Sequence, residues 1–187
     1  MRSICLILTA TITAALLAAP ALAETSAQFA APGFRAPDDS DVNGFRASIL
    51  YGEVDSMRGF DLGIFSVSKS SSLNGFGFVF GGTWVTGDTS GASLSFVNNC
   101  EGDATGVMAS MVNVVGSMSQ GANLGMVNYA RGYSNIDVGI ASVSEKSDVQ
   151  FGLLNITEEI ETLQIGLLNV AQNGFFPVFP LMNFPKD

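Results

Sequence analysis

The 187-residue chain contains no histidine. Histidine is the side chain that most often moves protons near neutral pH and most often ligates zinc, so Ser-His-Asp and Cys-His nucleophile pairs are both excluded. Of the two cysteines, Cys5 falls in an apolar leader, and Cys100 stands alone with no base to activate its thiol. No G-x-x-x-x-G-K-[ST] phosphate loop and no G-x-C-x-G or G-x-S-x-G elbow occurs. Gly75-Phe76-Gly77-Phe78 resembles a fragment of a glycine-rich nucleotide loop, but it lies inside a strand pattern, where the glycines are structural. Carboxylates remain. Glu158, Glu159 and Glu161 crowd one connector. A hydrolytic pair must converge across a cleft, so these three read as a solvated charge patch. Asp38, Asp39 and Asp41 lack the wider, turn-supported spacing of a calcium loop. Asp61 and Asp137 open the small-residue faces of their strands, alongside Arg46. They form either a shallow polar row for an extended ligand or ordinary solvent-facing sheet. No catalytic, cofactor-binding or metal-ligating residue is assigned, no cofactor is expected, and the chain reads as a non-enzyme.

What positions these residues is a repeat. Val149-Gln150-Phe151-Gly152-Leu153-Leu154-Asn155-Ile156 recurs as Leu163-Gln164-Ile165-Gly166-Leu167-Leu168-Asn169-Val170. A third copy, Pro177 to Phe184, replaces glycine with proline. Aligned on the strand-end residue, the anchors are Tyr51, Ser66, Gly82, Asn98, Asn113, Asn128, Ser142, Asn155, Asn169 and Asn183. Their spacings run 15, 16, 16, 15, 15, 14, 13, 14 and 14. Ten units at nearly one period define a tandem-repeat protein.

Within each unit the residues alternate with period two, which marks strands, and regular glycine excludes helix. One face reads Ala122, Leu124, Met126, Asn128; the other reads Asn123, Gly125, Val127. The aromatics Phe45, Phe60, Phe76, Phe78, Phe80, Trp84 and Phe96 recur at strand spacing and are expected mostly in the core. The fold class is all-β. A β-solenoid-like parallel stack is the favoured architecture, because it places Gly on Gly and Asn on Asn, with asparagines bonding along the stack axis. Eight extended residues span about 26 Å, whereas a six-residue return covers at most about 21 Å, so each coil must turn a corner within its strand. An antiparallel meander or barrel is the alternative.

Residues 1–23 read as a signal peptide: Arg2, the apolar run Ile4 to Ala18, then Ala21-Leu22-Ala23 before Glu24. Its removal takes the net charge from −9 to −10. That acidity argues against nucleic acid or anionic lipid as partners. No transmembrane helix is expected after the leader. Residues 24–41 read as a flexible acidic Pro/Ala arm, 42–184 as the repeat domain and 185–187 as a tail. Asn43 to Gly52 is the expected opening unit, and Phe175 to Phe184, with Pro177 and Pro180, the C-terminal cap.

Gln150-Phe151-Gly152-Leu153-Leu154-Asn155 and Gln164-Ile165-Gly166-Leu167-Leu168-Asn169 resemble the G-L-Q-I-G-L-x-N unit of bacterial surface repeat-containing proteins. The similarity is close over residues 148–184 and loose over 43–147. It implies export and an envelope or surface location: periplasm, outer membrane or cell surface. It brings no catalytic residues. The expected function is a non-catalytic envelope protein with a structural or interaction role and an envelope or surface partner. A small outer-membrane barrel, with its Leu-Ile-Leu face toward lipid, and a self-assembling fibre subunit are the alternatives.

Overall fold

The computed structural model describes residues 25–186. The leader reading therefore lies outside the described residues, as do Glu24 and Asp187. Every element is a strand: β1 (Thr25–Ala31), β2 (Phe34–Ala36), β3 (Asp41–Val85), β4 (Thr89–Cys100), β5 (Ala104–Ala109), β6 (Val112–Val115), β7 (Ser119–Leu124), β8 (Val127–Val138), β9 (Ala141–Ala171) and β10 (Val178–Asn183). They wind into a β-solenoid of about eight turns.

One turn shows the plan. Its first side is β5, in parallel register with β4 and β7 through Gly91↔Gly106↔Gly121. Its second side is β6, in parallel register with β4 and β8 through Asn98↔Asn113↔Asn128. Between them, Ser110 and Met111 form the corner that the span argument demands. Parallel, in-register stacking bears out the solenoid and excludes both the meander and the barrel.

The drift of the period has a local cause. Gly59, Gly75, Gly91, Gly106 and Gly121 stack with φ between 116° and 144°, and a Cβ on any of them would overlap the carbonyl oxygen of the glycine one turn before. Each is an extra residue that only glycine accommodates. In the next turn it is gone, because Ser119 pairs with Ser134 but Ala122 with Ile136. The opposite corner then also shortens, between Ala130↔Ser144 and Tyr133↔Lys146.

The ends correct three expectations. The arm is not flexible: β1 pairs in parallel with β3 (Ala27↔Phe45), and β2 folds back antiparallel on β1. Its inward residues include Thr25 and Gln28, so no apolar period betrayed it. The opening unit is therefore β1, not Asn43 to Gly52. At the far end the cap falls where expected, but β10 runs antiparallel to β9, placing Asn183 opposite Gln164 instead of Asn169. Among the early anchors, Thr83 rather than Gly82 pairs with Asn98. Of the tail, Pro185 bridges Gly174 and the Lys186 N–H donates to the Asn173 carbonyl (2.8 Å). Both exposed ends of the parallel stack are thus covered by a reversed strand, which blunts the open edge.

Candidate interaction surface

The coil is polar inside. Among the described residues, 27 buried side chains are polar or charged and 14 are apolar. One inward column runs Gly77↔Ser93↔Met108↔Asn123↔Asp137↔Gln150 by strand register, and Gln28↔Arg46 belong to it nearer the N-terminus. Arg46 and Asp61 meet there as a bidentate pair, Nε to Oδ1 at 2.8 Å and Nη2 to Oδ2 at 2.6 Å, with the Ser68 hydroxyl touching both. Their side chains are 0% and 2% exposed. Asp137 accepts from Asn123 (2.8 Å), Ser134 (2.7 Å) and Gln150 (3.4 Å), and burial pushes its carboxyl above the usual carboxylate value. The shallow ligand-binding row and the solvent-facing sheet are therefore both corrected: Asp61, Asp137 and Arg46 line the interior.

The second inward column is the asparagine ladder. Asn98 Nδ2 donates to Asn113 Oδ1 at 3.0 Å, Asn113 to Asn128 at 2.9 Å, and Asn155 to Asn169 at 2.8 Å. Three residues upstream sits Ser or Gly. Ser95 and Ser110 donate to Asn98 and Asn113, each at 2.7 Å. At Gly125 a Cβ would stand 2.8 Å from Asn113 Nδ2 and 2.9 Å from Asn128 Oδ1. Gly-x-x-Asn is thus a corner closed over an inward amide. A legible signal existed: polar residues five apart, as in Gln150/Asn155 and Gln164/Asn169, point the same way only across a corner.

A few large apolar side chains, among them Met57, Leu73 and Ile160, are buried, but most face outward, and the aromatics expected in the core are on the surface. Phe45, Phe60 and Phe76 stack on one outer face at centroid separations of 5.8 and 5.4 Å. Beside them runs Phe78↔Leu94↔Ala109↔Leu124↔Val138↔Phe151. The corner between the two sides carries Phe80, Phe96, Met111, Met126, Ile140, Leu153 and Leu167, all exposed. Phe65–Phe80 and Phe80–Phe96 rings touch at 4.9 and 4.7 Å, and the Met111 N–H bonds the Phe96 carbonyl at 3.0 Å. Beyond the corner, Val97↔Val112↔Val127 continue the apolar surface. Leu50 and Phe65 hold left-handed backbone (φ 64° and 46°) while 59% and 68% exposed. A non-glycine residue there costs about 1–2 kcal/mol.

Charge gathers at the opposite corner. Asp88 Oδ1 accepts the Asp103 N–H (2.9 Å), and Asp103 Oδ1 the Met118 N–H (3.0 Å), so each carboxylate caps the next turn. The Ser117 hydroxyl and the Met118 N–H hold the Asp103 carboxyl below its ordinary value. Glu161 and Glu159 sit there with Lys146, at 2.8 and 3.8 Å. Between Gly59 and Ala171 every other charged residue lies at or beside this corner, except Asp61 and Asp137 inside the coil.

The remaining candidates are structural. Cys100 is buried, donates to the Gly87 and Asp103 carbonyls (3.3 and 3.4 Å), and has its thiol pKa raised by burial. Asp38 pairs with Arg35 at 2.7 Å, and Asp39 accepts from Thr25. Gly75 and Gly77 lie in the stack, not in a loop. Among the described residues no group of three acidic, histidine or cysteine side chains is placed to hold a metal, and no helix is long and apolar enough to cross a membrane. A groove of about 380 Å³ beside the N-terminal hairpin is lined by Phe34, Arg35, Tyr51 and Glu53. Its polar groups are already engaged, Arg35 with Asp38 and the Glu53 carbonyl, Tyr51 with the Glu53 carboxylate. No family model, no curated protein and no solved structure matches the chain.

Proposed function

We propose that the chain is an exported, non-catalytic scaffold of the bacterial envelope that acts through its apolar outer surface. One observation carries this reading: the polar side chains are packed inside, and a continuous set of large apolar ones is left outside. Contiguous exposed apolar surface on this scale marks interaction sites, because exposure to water alone is unfavourable and invites aggregation. The non-catalytic reading is supported by the absence of histidine and by carboxylates that cap backbone or pair with cations. Export is supported by the leader sequence and by the resemblance of residues 148–184 to surface repeat proteins. The reversed strands at both ends speak against end-to-end fibre growth.

Fractionation of native cells, with carbonate and detergent extraction and protease shaving, tests the reading. A chain beginning at Glu24 and recovered with the envelope is the expected result. Recovery from the cytosol with Met1 to Ala23 intact would overturn it.

A further inference from the structure

The apolar surface has a shape that selects its partner. It covers two sides of the coil and the corner between them: the face bearing Phe78 and Leu124, the corner bearing Phe96 and Met111, and the adjoining row bearing Val97 and Val127. A flat protein surface, a second copy of this chain included, covers one such side. Fluid hydrocarbon covers both sides and the corner at once. Resting on the proposed action through this surface, we infer that its occupant is the bilayer surface of zwitterionic phospholipid, entered corner first.

Three further features agree. The flanking rows lie two residues before the corner (Phe78 to Phe80) and one residue after it (Phe96 to Val97), at about 3.4 Å per residue. Corner-first entry to those rows thus buries at most about 7 Å, within the roughly 5–10 Å depth of interfacial amphipathic elements. From Phe80 to Leu167 the corner offers seven residues over six strand intervals, about 29 Å, lying along the membrane plane. The carboxylates then point to water from the opposite corner, and the net charge of −10 left after removal of the leader steers the protein away from anionic headgroups. Between the two zones lies a row of amphipathic aromatics. Trp84 and Tyr129 share one column through Trp84↔Asn99↔Val114↔Tyr129, and the Trp84 indole donates to Glu101 at 3.1 Å. Apolar ring on one side and polar tip on the other is the arrangement that tryptophan and tyrosine adopt at headgroup level.

Trp84 is the chain's one tryptophan and so reports its own depth. The chain beginning at Glu24, without its apolar leader, is mixed with phosphatidylcholine vesicles brominated at shallow or deep acyl positions, and Trp84 emission and vesicle flotation are read together. Flotation is expected, with stronger quenching by shallow bromines. The double variant Met111→Glu/Ile140→Glu, with its β spectrum intact, is expected to lower partitioning about tenfold or more and to abolish quenching. Glu145→Gln, at the polar corner, is expected to leave both unchanged. Flotation without Trp84 quenching, or equal in the corner variant, would overturn the inference and assign binding to another segment. A dimer that the corner variant breaks, without flotation, would replace lipid by a second copy and leave the proposed function standing. A monomer that neither floats nor binds an apolar dye would overturn both.

Discussion

Removal of one ladder amide, Asn113→Ala, tests the argument that polar columns hold this coil together. Asn113 makes four side-chain bonds: Oδ1 accepts from Asn98 Nδ2 (3.0 Å) and Ser110 Oγ (2.7 Å), and Nδ2 donates to Asn128 Oδ1 (2.9 Å) and the Leu124 carbonyl (3.1 Å). Its partners lose unequally. The Leu124 carbonyl keeps the Ser110 N–H at 2.9 Å, and Asn98 Nδ2 keeps the Ser93 carbonyl at 3.2 Å. Asn128 Oδ1 keeps no other donor among the described residues. One fully orphaned buried acceptor costs about 1–3 kcal/mol, and the bonds lost without orphans about 0.5–1.5 kcal/mol each, which places the total near 3 kcal/mol. Urea unfolding followed by circular dichroism measures it. The sharper readout is a double-mutant cycle. Asn98→Ala with Asn113→Ala share a bond and should fall short of additivity by about 0.5–3 kcal/mol, whereas Asn113→Ala with Asn169→Ala should add. A single-variant loss below about 0.5 kcal/mol, or equal additivity in both cycles, would refute a bonded ladder as a source of stability.

Gly106→Ala forces a Cβ onto the Gly91 carbonyl at a φ of 119° and is expected to cost about 3 kcal/mol or more. Gly77→Ala, whose nearest contacts would be 3.5 and 3.6 Å, should stay within about 0.5 kcal/mol of the parent or exceed it; similar losses at both positions would contradict the stacked-glycine account. Arg46→Met leaves the Asp61 carboxylate buried without its cation and should cost about 3–5 kcal/mol, most of it recovered in Arg46→Met/Asp61→Leu; a double variant no better than the single would argue against the pair. Burial raises the Asp137 pKa in the folded state, so its contribution is full below the unfolded value of about 3.9 and is lost as pH rises through the folded one. Asp137→Asn should therefore raise Tm at neutral pH and flatten its pH dependence, and parallel Tm curves for the two proteins would sink that account.

The fold was legible because its evidence is periodic. Spacing identified strands, the common order of Gly and Asn implied parallel stacking, and chain length alone required a corner. Which way the side chains point was not legible, because a corner resets alternation. Ala122, Leu124, Met126 and Asn128 read as one face, yet Leu124 and Met126 are exposed while Asn128 is buried. The usual partition of large apolar residues to the interior then assigned the aromatics inward, although the largest fully buried side chains are Arg46, Met57, Leu73 and Ile160, none of them aromatic. The same expectation hid β1, whose inward Thr25 and Gln28 resemble linker composition.

The inversion is physically consistent because a solenoid does not depend on one large apolar core. Each turn hydrogen-bonds its neighbours along the whole backbone, and stability accumulates turn by turn. A narrow interior can then be filled by amides and hydroxyls, provided each finds a partner on the next turn, as Asn98, Asn113 and Asn128 do. Such columns fix register as well as stability, since a one-residue slip would bring Val112 or Val127 into a space filled by Asn113 or Asn128. Relieved of the interior, the large apolar residues are set by what lies outside the protein. The left-handed corners at Leu50 and Phe65 carry that logic furthest. The coil requires a corner there, but not a large apolar side chain left 59% and 68% exposed on it, a choice that an apolar partner explains.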